Sequence, residues 1–302
     1  MPIARSMTNT ADTRLHHLRE IAARMASDSV VWGCGRTPWG PPPKDGDSRP
    51  TKKCDRVWEC PTCNASGLVA RRHELRWRLE AADEVGSGVL FVTFNLSHRL
   101  SDDLGPLMQT LETAYDHLWN GGRRGTALRR TLGFWKFDRT LQVAWGNQGF
   151  HPHYHLLAFM NPSAPDADPI RVESTLRDAW HESLTVALGR LGRPVALPDN
   201  SVDVTPVVDP EGLAYYLTMP PVAPSGPTGL FRALTEIAEH GGGSCRCARC
   251  RRWYMRWSDY TDVMSGRRRF TSWGLNQALE GMGAAPRIAS PRLVDVSRHG
   301  GA

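Results

Sequence analysis

Apolar side chains recur at Leu15, Leu18, Ile21 and Met25, a spacing that predicts a helical lead-in over residues 1–30. The pattern breaks at residues 31–55, where Gly, Pro and Lys crowd together (GCGRTPWGPPPKDGDSRPTKKCD), a loop that a metal at its ends could hold. Helical spacing resumes after Cys63 through ARRHELRWRLEAADE. Residues 88–97 (GVLFVTFNLS) are rich in branched and aromatic side chains and read as a strand, followed by a long helix at 103–119 and a basic stretch, RRGTALRR. Residues 140–145 (TLQVAW) alternate, and after the turn GNQG comes HPHYHLLAF, so the two segments form a β-hairpin. A helix over 170–190, a strand over 202–208 and a short helix follow, the last with Asp209 as N-cap and Pro210 at its first position.

That order, β-α-β-β-α-β-α, predicts an α+β core of the ferredoxin-like, split βαβ kind with an antiparallel central hairpin. The expected organisation is a lead-in at 1–30, a zinc-binding module with its helix at 31–85, the core at 86–222, and a basic C-terminal region with a Cys-rich insert and tail at 223–302. No internal repeat is present.

The chain has 302 residues, 40% hydrophobic and 23% charged, which excludes a disordered polyelectrolyte. No run approaches the roughly 20 apolar residues that cross a bilayer, and the N-terminus lacks a signal core, so a membrane span and secretion are disfavoured. The net charge of +6 favours a polyanionic partner.

All seven cysteines fall in two groups, Cys34, Cys54, Cys60 and Cys63 early, Cys245, Cys247 and Cys250 late. Clustering without an export signal points to thiolate–metal binding in a reducing, cytoplasmic compartment. Cys60 and Cys63 form a CxxC knuckle, and Cys34 with Cys54 completes a four-thiolate, structural zinc site. His240 with Cys245, Cys247 and Cys250 could hold a second ion. Arg71, Arg72, Arg76 and Arg78 on the following helix, Arg123, Arg124, Arg129 and Arg130, and Arg267, Arg268 and Arg269 form basic clusters; with Trp253, Tyr254 and Trp257 they suit phosphates and unpaired bases.

On an extended strand His151, His153 and His155 share one face. Imidazoles there make a metal-binding edge, and Gln142 on the neighbouring strand, pointing away from Leu141 and Val143, offers an oxygen suited to a hard divalent cation. The bland alternative is three structural histidines.

At these residues the chain resembles the HUH endonucleases, in the form found in rolling-circle replication initiators of Gram-positive, especially actinobacterial, plasmids. FVTFNLSH resembles the family's first strand, TLQVAWGNQGFHPHYH its strand-turn-strand and EGLAYYLTM its tyrosine helix, in the family's order; KKCDRVWECPTC and SGRRRFTSW resemble flanking segments. The resemblance implies that His153 and His155 hold a catalytic Mg²⁺ or Mn²⁺, with His151 or Gln142 as third ligand, where the family often has an acidic residue. It implies a tyrosine nucleophile, since a phenol can trade one phosphate ester for another. The family's Tyr-x-x-Lys register favours Tyr216, with Met219 in place of Lys, whereas Glu211 stands four residues before Tyr215, the spacing at which some relatives carry a water-activating Glu.

The implied function is a site-specific single-strand DNA endonuclease and strand transferase. It would act on a plasmid origin, duplex and single-stranded, leaving a 5′-phosphotyrosine link and a free 3′-OH primer for host helicase and DNA polymerase, with no membrane partner. A transposase or mobilisation relaxase with the same core, or a catalytically weakened DNA-binding regulator, are the alternatives.

Overall fold

The computed structural model describes residues 3–36 except 26–29, then 38, 51–120, 122–163, 168–195, 197–198, 200–219, 222–223, 226–227, 230–241, 245–272 and 274–285. Helices α1 (Ile3–Met25), α2 (Val30–Gly33) and α3 (Pro61–Glu84) precede strand β1 (Val89–Phe94). Helices α4 (Leu104–Asn120) and α5 (Arg123–Thr131) lead into the hairpin of β2 (Phe134–Gly146) and β3 (Gly149–Met160), then α6 (Pro169–Arg190), β4 (Val202–Pro206) and α7 (Pro210–Leu217). The C-terminal part adds the two-residue strands β5 (Val222–Ala223) and β6 (Gly226–Pro227), helices α8 (Phe231–Glu239) and α9 (Ala248–Met264), strand β7 (Phe270–Ser272) and α10 (Leu275–Gly281).

Five strands form one antiparallel sheet in the order β4-β1-β3-β2-β7. Alternation sorts the side chains of β3 between its two faces. Phe150, Tyr154, Leu156 and Ala158 join the larger apolar cluster with the i, i+3, i+4 stripes of α4 (Leu104, Leu107, Met108, Leu111) and α6 (Val172, Leu176, Trp180). Leu157 and Phe159 point the other way, into a cluster with Leu75 and Leu79 of α3, Ala214 and Leu217 of α7, and Leu275 and Leu279 of α10. The larger cluster also takes in Leu18 and Ile21 of α1, three of the early cysteines, and Phe231, Leu234 and Trp257 of α8 and α9.

The segment expected to be a basic stretch is the helix α5, and SGRRRFTSW supplies a fifth strand, β7, beside β2 at Asp138–Thr140. Helix α3 begins before Cys63, because Pro61 lacks an amide hydrogen and has its φ preset for a first turn, with Cys60 as N-cap. Asp209 caps α7 as expected, its carboxylate accepting the Gly212 N–H at 2.9 Å. Gly149 opens the histidine strand at φ +88°, with Arg99 O and Leu100 Cα each 3.1 Å from where a Cβ would stand, so a larger residue would both strain the turn and strike this loop.

Arg71 and Arg78 were expected to face phosphates, but they lie in the buried stripe of α3 and turn inward. Both guanidiniums bind the carboxylate of Asp138 on β2, one to each oxygen, and Glu74 bridges them at 2.7 and 2.6 Å. Two cations and two anions cancel, and Asn276 of α10 accepts from Arg78 Nε at 2.7 Å. Burial lowers the Arg78 pKa, with Asp138 and Glu74 acting in the opposite direction. The reason is geometric: the stripe that packs α3 on the sheet includes both positions, and a buried carboxylate is opposite them.

Removing Asp138 would leave two cations without their central anion, so Asp138→Ala is expected to cost about 3–5 kcal/mol of stability in urea unfolding. A loss below about 1 kcal/mol would show that the network is not essential.

Among the described residues, no helix is long and apolar enough to cross a membrane.

Candidate active site

The alternation of β3 and the tight turn before it put His151, His153 and His155 on the face that α3 and α7 cover farther along, so the imidazoles lie beside the point where that cover ends. Ring centroids step 4.8 Å from His151 to His153 and 4.7 Å from His153 to His155. A fourth ring extends the row: His98, in the loop after β1, sits 4.7 Å from His151, with the two Nδ1 atoms 3.4 Å apart. Sequence reasoning did not count His98 among the site residues, although it closes the motif FVTFNLSH; the signal was a histidine just past the predicted strand.

The hydrogen bonds indicate how His153 and His155 are protonated. His153 Nδ1 lies 3.1 Å from the His151 carbonyl, which can only accept, so Nδ1 carries the proton and Nε2 keeps its lone pair. His155 Nδ1 lies 3.1 Å from Thr93 Oγ1, a partner that allows the same tautomer. The two Nε2 atoms then converge 3.1 Å apart. Two nitrogens at about 2.0–2.1 Å from one ion are about 2.9–3.4 Å apart, so this pair could share a metal, held by the outer contacts that orient metal-binding imidazoles. With no metal, a proton on one ring could link them. His153 is 8% and His155 3% exposed. Burial lowers both pKa values, His155 to about 3, and takes His151 to about 4.

Gln142 is paired with His153 across the hairpin and shares its face. Among the described residues, no third His, Cys, Asp or Glu closes on His153 and His155 as a compact triad, which leaves the amide oxygen of Gln142 and the ring of His151 as neighbouring donors.

Helix α7 separates the two tyrosines. Tyr216 turns toward the histidines, its ring 5.6 Å from His155 and 6.2 Å from Phe91, and remains 46% exposed. Partial burial raises its pKa, so it is a phenol at neutral pH. Tyr215 faces α3 instead, under the Arg72 guanidinium at 4.5 Å. Arg72 also donates to Thr218 Oγ1 and O, at 3.0 and 3.1 Å. Glu211 pairs with Arg76 at 3.3 Å.

The four cysteines of the first group gather where α2 meets α3: Cys34 and Cys63 are 3.4 Å apart at sulfur, Cys54 and Cys63 3.6 Å, Cys60 and Cys34 3.7 Å. Tetrahedral thiolates about 2.3 Å from zinc are about 3.8 Å apart, so the group fits such a metal. At the junction of α8 and α9, His240 Nδ1 lies 3.5 Å from Cys245 Sγ, 3.5 Å from Cys247 Sγ and 3.4 Å from Cys250 Sγ, also a tetrahedral edge. The Cys247 thiol accepts the Cys250 backbone N–H, which helps to hold it near thiolate, at about 6. Each group could hold a metal such as zinc.

The arginines divide. Arg123, Arg130 and Arg268 are exposed, the first two lining a surface hollow of about 480 Å³ with Thr126. Arg124 pairs with Glu182, and Arg267 with Glu112 at 2.8 Å. Arg269 lies over the rings of Trp58 and Phe270, its pKa lowered by burial to about 10. Trp257, expected to stack on bases, is buried against Phe231 and Tyr260.

The chain is 27% identical over 134 residues to a Streptomyces lividans protein named "Protein rep", a match covering 36% of this chain and 29% of that protein. No protein-family model matches the chain, and no solved structure matches it.

If both groups hold zinc, elemental analysis will find two zinc ions per chain. Cys60→Ser is then expected to lose one with a large fall in Tm, and His240→Ala the other with a smaller one. A folded wild-type protein without zinc would refute both sites.

Proposed function

We propose that this protein is a rolling-circle replication initiator of the HUH kind, a metal-dependent enzyme that nicks and rejoins DNA. The observation that carries the reading is Tyr216 beside the converging nitrogens of His153 and His155, on the middle strand of an antiparallel sheet. The order β4-β1-β3-β2 supports the ferredoxin-like core, and the likeness to a protein named Protein rep supports a role in replication.

In this reading His153 and His155, with Gln142 as third donor, hold Mg²⁺ or Mn²⁺, and the cysteine groups hold structural zinc. The catalytic ion supplies positive charge beside the phosphate. The lone pairs of His153 and His155 are available because burial keeps both rings neutral at pH 7. Tyr216 gives up its phenolic proton as its oxygen bonds to phosphorus, and the P–O3′ bond breaks. The departing 3′ oxygen takes a proton, and the resulting 3′-OH is the primer. The reverse exchange rejoins the strand, since one phosphate ester replaces another. Tyr216 is the nucleophile and Tyr215 a support, because Arg72 holds the second ring on the far side of α7. In this reading Glu211, which pairs with Arg76 at the surface, takes no part in the exchange.

The substrate is plasmid origin DNA, duplex and then single-stranded, with the exposed Arg123, Arg130 and Arg268 following phosphates. Host helicase and DNA polymerase would act next, in the cytoplasm.

A denaturing gel tests the reading. A labelled single strand from the origin, incubated with Mn²⁺, should remain attached to the wild-type chain and to Tyr215→Phe, but not to Tyr216→Phe. His153→Ala and His155→Ala should each reduce adduct by more than the roughly 10–100-fold that loss of an outer-shell partner costs. An adduct that persists in Tyr216→Phe would move the nucleophile, and one that persists in the Tyr215→Phe, Tyr216→Phe double variant would end the tyrosine mechanism.

A further inference from the structure

We propose that the outward face of α9 reads duplex DNA in the major groove, with the late cysteine group pinning its first turn; this rests on the reading of the protein as an initiator that must find one duplex site. The helix packs through Trp257, Tyr260 and Met264, all buried, and Trp253 and Tyr254 lie half-buried against the same cluster. Its opposite face carries Arg251, Arg252, Met255, Ser258, Asp259 and Asp262, which follow the i, i+3, i+4 spacing of one stripe and are all exposed. Charge is divided along that stripe. Arg246, just before the helix, and Arg251 and Arg252 in its first turns are exposed, and among the described residues no carboxylate pairs with them. Arg249, in contrast, is tied to Glu236 of α8. The last turns carry Asp259 and Asp262, so a polyanion is attracted to the start of the helix and repelled from its end.

That polarity suits a helix that enters a groove by its N-terminal residues. A helix with its side chains is about 10–12 Å across and the major groove of B-DNA about 12 Å wide. An arginine can take guanine O6 and N7 together, and Met255, 65% exposed, offers an apolar contact for a thymine methyl. A single strand would need rings to stack on, and the rings of α9 turn toward the core. A bilayer would need more than one apolar side chain on the face. Base reading also requires a firmly held helix. His240, at the end of α8, and Cys245, Cys247 and Cys250 converge on the start of α9, and Cys250 directly precedes Arg251. An ion there would lock α8 to α9 just before the two arginines. Farther along, Arg256 lies over Trp145 at 4.6 Å and Phe150 at 5.9 Å, at the hairpin end beside His151, so a duplex on α9 lies next to the histidine row.

The test selects binders of the full chain from a library of randomised 20-bp duplexes, then reads affinity for the enriched duplex, a scrambled duplex and dT20 by fluorescence anisotropy. Wild type is expected to enrich a defined sequence. Arg251→Ala and Arg252→Ala, both at exposed positions, should each weaken the enriched duplex about 5- to 150-fold, the worth of one base contact, and relax the preference at a discrete base pair. His240→Ala, with the second zinc shown by elemental analysis to be gone, should weaken the enriched duplex more than the scrambled one. A wild type without that zinc, or selectivity unchanged in His240→Ala, would overturn the pinning. No enriched sequence, or affinity unchanged in both arginine variants, would overturn the reading face. Equal losses on enriched and scrambled duplexes in both variants would leave the arginines on phosphates, and losses confined to dT20 would make α9 a single-strand surface; either overturns it. A wild type that selects a duplex, loses it in the arginine variants and forms no phosphotyrosine adduct would support the reading face and remove the nicking mechanism. An adduct in wild type, with duplex selection unchanged in the arginine variants, would do the reverse.

Discussion

The buried carboxylate of Asp138 is the constraint on which the arrangement of this protein depends. A central strand carries an anion into a face that excludes water, and α3 answers it with Arg71 and Arg78 from one packing stripe. Neither partner is tolerable alone in such a place. The network also defines direction along the sheet: α3 and its neighbours cover Leu157 and Phe159, while the next residues of β3 toward the hairpin turn, His155 and His153, lie where the cover gives out. An apolar contact could dock a helix on this face, but a bidentate carboxylate clamp fixes its register as well.

The same helix ties together two features that are remote in sequence. Its first turn carries Cys63 of the early thiolate group, and its middle carries Arg72, which holds Tyr215. The helix that gathers the early cysteines therefore also holds one tyrosine of α7 while the other faces the histidines. Each cysteine group lies at a junction between two helices, where an ion would replace apolar contacts that a short loop cannot make.

Much of this was legible in the sequence where the signal was local. Alternation in TLQVAW and HPHYHLLAF gave the hairpin and the shared face of the histidines, the Asp209-Pro210 pair gave the start of α7, and cysteine spacing gave both clusters. What depends on distant partners was hidden. Arginines at positions 71 and 78 look like a charged face, because their anion lies 67 and 60 residues away. The three residues of β7 are too few to show a period, and α5 carries a glycine in its basic run, which masks its helical character. Trp257 looked available for stacking because an apolar aromatic among arginines reads alike whether it lies in a core or on a surface.

The fifth strand has a consequence for how the molecule is made. Residues that touch across β2 and β7 are separated by 130 to 134 positions, and Trp58 meets Arg267 across 209. Contacts of such separation are slow to form because a long loop must close first. Until the segment after α9 is made, the backbone groups of β2 at Asp138–Thr140 lack the partners that β7 supplies. An unpaired edge of this kind is a template for wrong pairing. A nascent chain therefore depends on β7, far along the sequence, to cover this edge of its sheet, so the fold links completion of the sheet to the emergence of residues 270–272.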